Sequence, residues 1–240
     1  MRPEFPVIIL TGRPASGKSE VIDFLKKLPV EERYRRFGIA AFDEIDDFPM
    51  LWAWFEEDAI LEKIMYKPRM HTDRDGYFLH QYQWDLLIER ISLDYSKKLR
   101  DEHYHQTHTA ILEFSRGTEH GGYRSAFEHL SDEILERALI IYIDVPYEES
   151  LRKNRKRFNP NRPDSILEHG LPDEKLERLY HDVDWEEVSA ESPTHITIKG
   201  HKVPYVVFHN MPSQTDDPEL LGPALDEVFV KAREVYKKSH

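Results

Sequence analysis

The residue types and spacing most able to do chemistry lie near the start of the chain, in "FPVIILTGRPASGKSEVIDFL", Phe5 to Leu25. Within it "GRPASGKS", Gly12 to Ser19, satisfies the pattern G-x-x-x-x-G-K-[ST]. Glycines in such a turn let the backbone curl until successive amide N–H groups converge on one anion. A helix that opens on the turn adds the positive end of its dipole. The Lys18 ammonium would then neutralise the outer phosphates of a nucleotide, and the Ser19 hydroxyl would ligate Mg²⁺. Gly12, Ala15, Ser16, Gly17, Lys18, Ser19 and Glu20 are therefore the candidate nucleotide-binding residues, and ATP and Mg²⁺ are the expected cofactors.

That chemistry requires a strand to deliver the turn and a helix to leave it. Val7 to Leu10 reads as a buried strand, and Lys18 to Lys27 as a helix with Val21, Ile22, Phe24 and Leu25 inward, stopped by Pro29. Phe37 to Phe42, "FGIAAF", predicts a second strand, with "DEIDDFP" as an acidic turn after it. Helical periodicity follows in "LWAWFEEDAILEKIMY" and in "YFLHQYQWDLLIERISLDYSKKL". Thr109 to Phe114 predicts a third strand, a helix runs to about Leu130, and "ALIIYIDVP" is the most strand-like run of all. "HITIKGHKVPYVVF" reads as a strand pair around Gly200, and "PELLGPALDEVFVKAREVYKK" as a closing amphipathic helix. Strands alternating with helices predict an α/β fold of three layers, a parallel sheet flanked by helices, with its ligand site beyond the carboxyl ends of the strands. One domain over 1–240 accommodates everything, with a lid or insert over 151–192. There "LRKNRKRFNPNR" carries six basic residues and no acidic one, and an acidic stretch with Pro163 and Pro172 follows.

The balance of charge narrows the partners. Lys and Arg number 33 against 45 Asp and Glu, a formal net charge of −12 over 240 residues, so the overall field repels polymeric nucleic acid. With no cysteine, there is neither a thiol nucleophile nor a disulfide framework. No apolar run reaches the length of a bilayer span, and the apolar stretch near Met1 is too short for a signal peptide. A cytoplasmic chain acting on a small molecule, with no membrane partner, is the expectation; the oligomeric state stays open, a dimer included.

The order of these features resembles the P-loop kinases of the nucleoside and nucleotide kinase type, over roughly residues 5 to 160 and the last strand. A phosphate loop comes first, then an acidic turn, then a strand ending in an acidic residue with an arginine nearby, then an arginine-rich lid. The likeness is nearest to deoxynucleoside kinases: "FLHQYQWDLLIER" is similar to their substrate-side helix, "ILEFSRG" stands where they carry an acidic-Arg-Ser signature, and "YIDVPYEESLRKNRKR" is similar to their strand leading into the lid. The spacing of Glu113 and Arg116 and the form of the acidic turn depart from that family.

The resemblance implies roles. A hydroxyl acceptor needs an acidic side chain to take or orient its proton; Asp43 is the first candidate, Asp46 the second and Glu44 the third. Glu113 would hold Mg²⁺ through water, or else pair with Arg116. Arg116 would reach toward the acceptor or the transferred phosphoryl group. On the lid, Arg152 and Arg155 share a helix face and would donate to the phosphates, with Arg157 or Arg162 as alternatives. Gln81 and Trp84 are candidate substrate contacts, and Asn210 would border the adenine.

Two other signals carry less. His103, His105 and His108 in "HYHQTH" read as surface histidines, and "DRDG" at Asp73 to Gly76 matches D-x-x-G but follows no strand and has no N-K-x-D companion. The expected function is ATP- and Mg²⁺-dependent transfer of a phosphoryl group to a small hydroxyl or phosphate acceptor, nucleoside-like by resemblance. The competing functions are a nucleotide-dependent switch or regulatory NTPase acting on a protein partner, and a kinase for a sugar or an antibiotic.

Overall fold

The computed structural model describes residues 1–157 and 170–239. Arg162 and Pro163, singled out in the lid, lie outside the described residues.

The chain runs β1 (Val7–Gly12), α1 (Lys18–Lys27), α2 (Val30–Phe37), β2 (Ala41–Asp46), α3 (Phe48–Lys63), α4 (Tyr82–Lys98), α5 (Tyr104–Thr107) and β3 (His108–Phe114). A 3-10 turn at Thr118–His120 leads to α6 (Gly122–Glu128), α7 (Asp132–Leu135) and β4 (Ala138–Asp144). Then come α8 (Tyr147–Arg157), α9 (Asp173–Tyr180), α10 (Trp185–Ser189), β5 (His195–Ile198), β6 (His201–His209) and α11 (Pro218–Ser239). Six strands form one sheet in the order β2-β3-β1-β4-β6-β5. All neighbours are parallel except the hairpin β5–β6, which turns at Lys199–Gly200.

Side chains alternate across the sheet and build a core on each face. Val7 and Ile9 of β1 join Ile88 and Ile91 of α4, Tyr123 and Phe127 of α6, and Trp185 of α10 on one face. Ile8 and Leu10 join Val21, Ile22 and Leu25 of α1, Phe37 of α2 and Leu225 and Phe229 of α11 on the other. This is the expected three-layer α/β fold with a mostly parallel sheet. The chain leaves β1 toward β2 but crosses back over β1 from β3 to β4. The strand order therefore reverses between β1 and β3, and a crevice opens outside their carboxyl ends.

Two element boundaries differ from expectation. Phe37 closes helix α2 rather than opening a strand, and β2 begins four residues later, at Ala41. Residues 43–46 of the expected acidic turn are therefore strand, Asp47 precedes α3, and Phe48 and Pro49 open that helix; the edge position of β2 suits charged side chains. Within the expected lid, Leu176, Leu179 and Tyr180 of α9 are buried, and Trp185 stacks on Tyr142 of β4 at 3.9 Å between ring centres. An amphipathic α9 and an aromatic α10 give those residues apolar faces to bury, so this part of 151–192 belongs to the body of the domain.

Candidate active site

The phosphate loop hangs between the end of β1 and the start of α1. Gly12 packs so tightly that a Cβ there would lie 2.5 Å from the Ile143 carbonyl oxygen. Gly17 takes φ 116, and its Cβ would meet the Thr215 side chain at 2.7 Å. No side chain caps the first turn of α1, which leaves its leading N–H groups without a side-chain acceptor at the cap. From outside, Ser150 Oγ donates to the Pro14 carbonyl at 2.7 Å, and the Arg13 guanidinium donates to the carbonyls of Val145, Tyr180 and His181 at 2.9 to 3.2 Å.

Lys18 is buried and lies across its own loop. Its Nζ donates to Ser115 Oγ at 2.7 Å, to the Arg13 carbonyl at 3.1 Å and to the Gly12 carbonyl at 3.4 Å. Burial pulls its pKa below the ordinary lysine range, against the attraction of Glu113, Asp46 and Asp47. Ser19 is exposed, and its Oγ accepts a hydrogen bond from Arg157 at 3.1 Å.

The carboxylates sort by strand parity. Asp46 stands opposite Glu113 in the β2–β3 register, at the carboxyl edge beside Leu10 of β1. Glu44 is two residues back and shares the face of Asp46; ligand oxygens of Glu44, Asp46 and Glu113 lie within 4.8 Å of one another. Burial pushes the Asp46 and Glu113 carboxyls above the usual carboxylate range, helped by repulsion from Asp47 and Glu113 at Asp46, and from Glu44 and Asp47 at Glu113, where the attraction of Lys18 opposes it. The first-choice base, Asp43, is three residues from Asp46, an odd step that turns it to the other face and roughly 10 Å down the strand. There it pairs with Lys98 of α4 at 3.1 Å. Burial acts to raise its carboxyl, but Lys98 and the Tyr104 hydroxyl outweigh burial and hold it below the ordinary value.

Other candidates are committed to the protein itself. Arg116 is buried: its guanidinium donates to Asp47 Oδ2 at 2.7 Å, to the Ser115 carbonyl at 2.6 Å and to the Trp84 carbonyl at 3.1 Å, and stands over the Trp84 ring. These bonds hold Asp47 in place. Trp84 is buried with Trp54 and Leu87, one face stacked on His120 at 3.7 Å, and Gln81 is exposed just ahead of α4. Asn210 is fully buried, its amide donating to the Ser16 carbonyl and Thr215 Oγ1 and its carbonyl oxygen accepting from the amide of Gln214. These bonds tie it to the loop of residues 12–19. Arg152 bonds Glu149 and Asp216, and Arg155 bonds Asp173, so of the described lid arginines it is Arg157, the alternative, that touches the loop.

A cavity of about 250 Å³ opens beside these carboxylates. Asp46 and Asp47 form one end; Pro49, Met50 and Ala53 of α3 face Leu87, Arg90, Ile91 and Asp94 of α4 along it. The α4 residues are three and four apart and so form one stripe of the helix.

Sequence reasoning missed Asp47, Ser115, Arg13 and His120. His120 is fully buried between Trp84 and Tyr180, and burial, then the charge of Arg116, pushes its pKa down to about 2, so it stays neutral. A run such as "SRGTEHGG" carries no periodicity that marks a histidine as inward.

An oxygen-only donor set suits Mg²⁺, a hard cation that takes carboxylate, hydroxyl and phosphate oxygens. Glu44 and Glu113, with Asp46 alongside, supply such oxygens within 4.8 Å of one another.

No family model matches the chain. No curated protein matches it either. Among solved structures, an unliganded sugar kinase from Janibacter sp. is similar over 96% of this chain and 98% of its own, with 13% identity and a TM-score of 0.42. A shikimate kinase from Acinetobacter baumannii, in complex with shikimate, is similar over 73% of this chain and 75% of its own, with 15% identity and a TM-score of 0.32.

Proposed function

We propose that the protein is a phosphotransferase that moves the terminal phosphoryl group of ATP, in the presence of Mg²⁺, to a hydroxyl of a small molecule seated between α3 and α4. One observation carries the proposal. Asp46 belongs both to the carboxylate group beside Lys18 and to the wall of the cavity, so a nucleotide's phosphate tail and an acceptor would meet at one side chain.

The amides of the loop and of the first turn of α1 would bind the phosphate tail, and Lys18 would turn from the carbonyls of Gly12 and Arg13 to phosphate oxygens. Ser19 and Glu113, with Glu44 beside them, would hold Mg²⁺, which when bound supplies neutralisation of phosphate charge. Arg157 would donate from the lid to oxygens that gain charge. Asp46, its carboxyl raised toward neutrality by burial and by Asp47 and Glu113, is suited to take the acceptor's hydroxyl proton. The acceptor oxygen bonds to the terminal phosphorus as the bond from that phosphorus to the bridging oxygen breaks, and ADP leaves with the electron pair. Asp46 thus takes the role first expected of Asp43.

Calorimetry with a non-hydrolysable ATP analogue and Mg²⁺, followed by phosphorus NMR of reactions offered a set of hydroxyl compounds, tests the assignment. Analogue binding together with a new phosphate ester supports it. Absence of binding, or inorganic phosphate as the sole product with every acceptor tried, refutes it.

A further inference from the structure

Lys18 owes its place in part to a residue outside the phosphate loop. Under the phosphotransferase assignment above, on which this step rests, that residue would act on the phosphates through the Lys18 ammonium. An ammonium group has three hydrogens to donate. Here they meet three acceptors: Ser115 Oγ at 2.7 Å, the Arg13 carbonyl at 3.1 Å and the Gly12 carbonyl at 3.4 Å. The contact with Ser115 has the length of a charge-assisted bond, whereas the carbonyl contacts lie at the long edge of the ordinary range and past it. The strongest pull on the ammonium therefore comes from the chain after β3, away from the loop's own carbonyls.

The peptide that carries Ser115 is fixed on either side. Thr11 Oγ1 of β1 donates to the Phe114 carbonyl at 2.7 Å. The Arg116 guanidinium donates to the Ser115 carbonyl at 2.6 Å and is held in turn by Asp47 and the Trp84 carbonyl. Both donors, Thr11 and Arg116, are buried. Among the described residues Lys18 is the sole partner of the Ser115 hydroxyl, so what this rigid mount presents is one acceptor for one ammonium.

Without that hydroxyl the ammonium would be one acceptor short, and the nearest replacements are the two carbonyls it already touches. Those contacts would shorten and strengthen, and an arriving phosphate tail would have to break them. The Ser115 bond lies outside the loop and can persist while phosphate oxygens take the places of the carbonyls.

We propose that Ser115 is a positioning residue: its hydroxyl holds the Lys18 ammonium off the carbonyls of Gly12 and Arg13, ready for the outer phosphates of a nucleotide.

Calorimetry with a non-hydrolysable ATP analogue and Mg²⁺ tests the role on the parent, Ser115→Ala, Ser115→Thr, Lys18→Met, and Ser115→Ala combined with Lys18→Met. Ser115→Ala is expected to weaken analogue binding at least about fivefold, the worth of one ordinary hydrogen bond. Ser115→Thr keeps a hydroxyl and is expected to bind within about twofold of the parent. Once Lys18 is methionine, adding Ser115→Ala is expected to change affinity by less than about twofold, because the group it acts through is gone. The rise in melting temperature at high analogue concentration reads the weaker binders. Equal weakening with and without Lys18, or a Ser115→Thr variant as impaired as Ser115→Ala, shows a structural role and overturns the inference; so does binding that Ser115→Ala leaves unchanged. Each of those results leaves the phosphotransferase assignment standing, whereas absent analogue binding by the parent sinks that assignment and this role with it.

Discussion

Replacing Lys18 by methionine separates chemistry from folding in a way the structure lets one work out beforehand. Methionine keeps the length and most of the volume of the side chain, so the buried space beside Ser115 stays filled. Three hydrogen bonds are lost, those to Ser115 Oγ and to the carbonyls of Arg13 and Gly12. Bonds from a charged donor are worth about 1.5–3 kcal/mol each when well made, and only the first is short. Against that loss, the protein no longer has to bury an ammonium group, a cost of several kcal/mol after relaxation, and the depressed pKa of Lys18 has burial as its leading cause. The two effects nearly offset. We expect the nucleotide-free variant to melt within about 4 °C of the parent, the shift that roughly 1 kcal/mol produces in a domain of this size. Phosphoryl transfer lacks that offset. A preorganised cation that acts on developing charge is worth roughly 100- to 1,000-fold in turnover. The assay pairs a thermal melt without nucleotide with initial rates of ADP release under saturating ATP. Retention of turnover within about threefold would falsify the placement of Lys18 on the phosphates, and a fall in melting temperature beyond about 10 °C would show the residue to be structural instead.

Three further outcomes follow from the same geometry. Asp46→Asn should lower turnover roughly 100- to 10,000-fold, the range of a general base. Asp43→Asn, which loses a partner of Lys98 on the opposite face, should change turnover by less than about fivefold; initial rates on both variants decide between them. Arg157→Ala should reduce kcat/KM by more than Arg152→Ala or Arg155→Ala, because only Arg157 of the three reaches Ser19 while the others are paired with Glu149, Asp216 and Asp173; equal losses in the three variants would refute this. Asp58, buried in α3, gives an acid-sensitive clamp. Burial acts to raise its carboxyl, but bonds from the amides of Met70, Thr72 and His71 and from the Thr72 hydroxyl outweigh it and hold the pKa below the ordinary 3.8. Its stabilisation is complete above the unfolded value and is lost as pH falls through the lower folded value. Hydrogen exchange at residues 69–72 should therefore accelerate below about pH 4 in the parent, and Asp58→Asn should abolish that step.

What the sequence disclosed was local in origin. The turn from Gly12 to Ser19 could be read directly because its geometry is set by its own small residues and by the strand and helix on either side. The hairpin at Gly200 and the helix of Lys18–Lys27 were legible for the same reason. Strand β2 was misplaced because Phe37 is apolar in either state, although helix signals surrounded it: Pro29 ahead, Glu31 and Glu32 in the first turn, Arg35 and Arg36 in the last, and Gly38 beyond. That four-residue shift reaches the acidic run: once 41–46 is strand, parity puts Asp46, beside Glu113, and Asp43, beside Lys98, on opposite faces. The remaining misses are tertiary. Nothing near Arg116 in sequence announces that Asp47, 69 residues earlier, will take its charge, or that Arg157 rather than Arg152 will arrive at Ser19.

The partners of Arg13, Ser150 and Asn210 bear on how the loop would act under the proposed function. Each is tied to a different segment: Arg13 to the carbonyls after β4 and at the end of α9, Ser150 of α8 to Pro14, and Asn210 after β6 to Ser16. A loop held by three independent anchors would not need to be organised by a ligand, so in the proposed reaction its amides would present their dipoles without a reorganisation cost. Lys18 is the exception. Its ammonium is engaged with the loop's own carbonyls, and under the proposed function it would have to exchange them for phosphate oxygens. Binding would therefore move one side chain across a fixed frame. The same frame keeps Asp46 and Glu113 together across β2 and β3 beside Lys18, so under the proposed function the arriving phosphates and cation would meet two carboxyls whose charged forms burial disfavours.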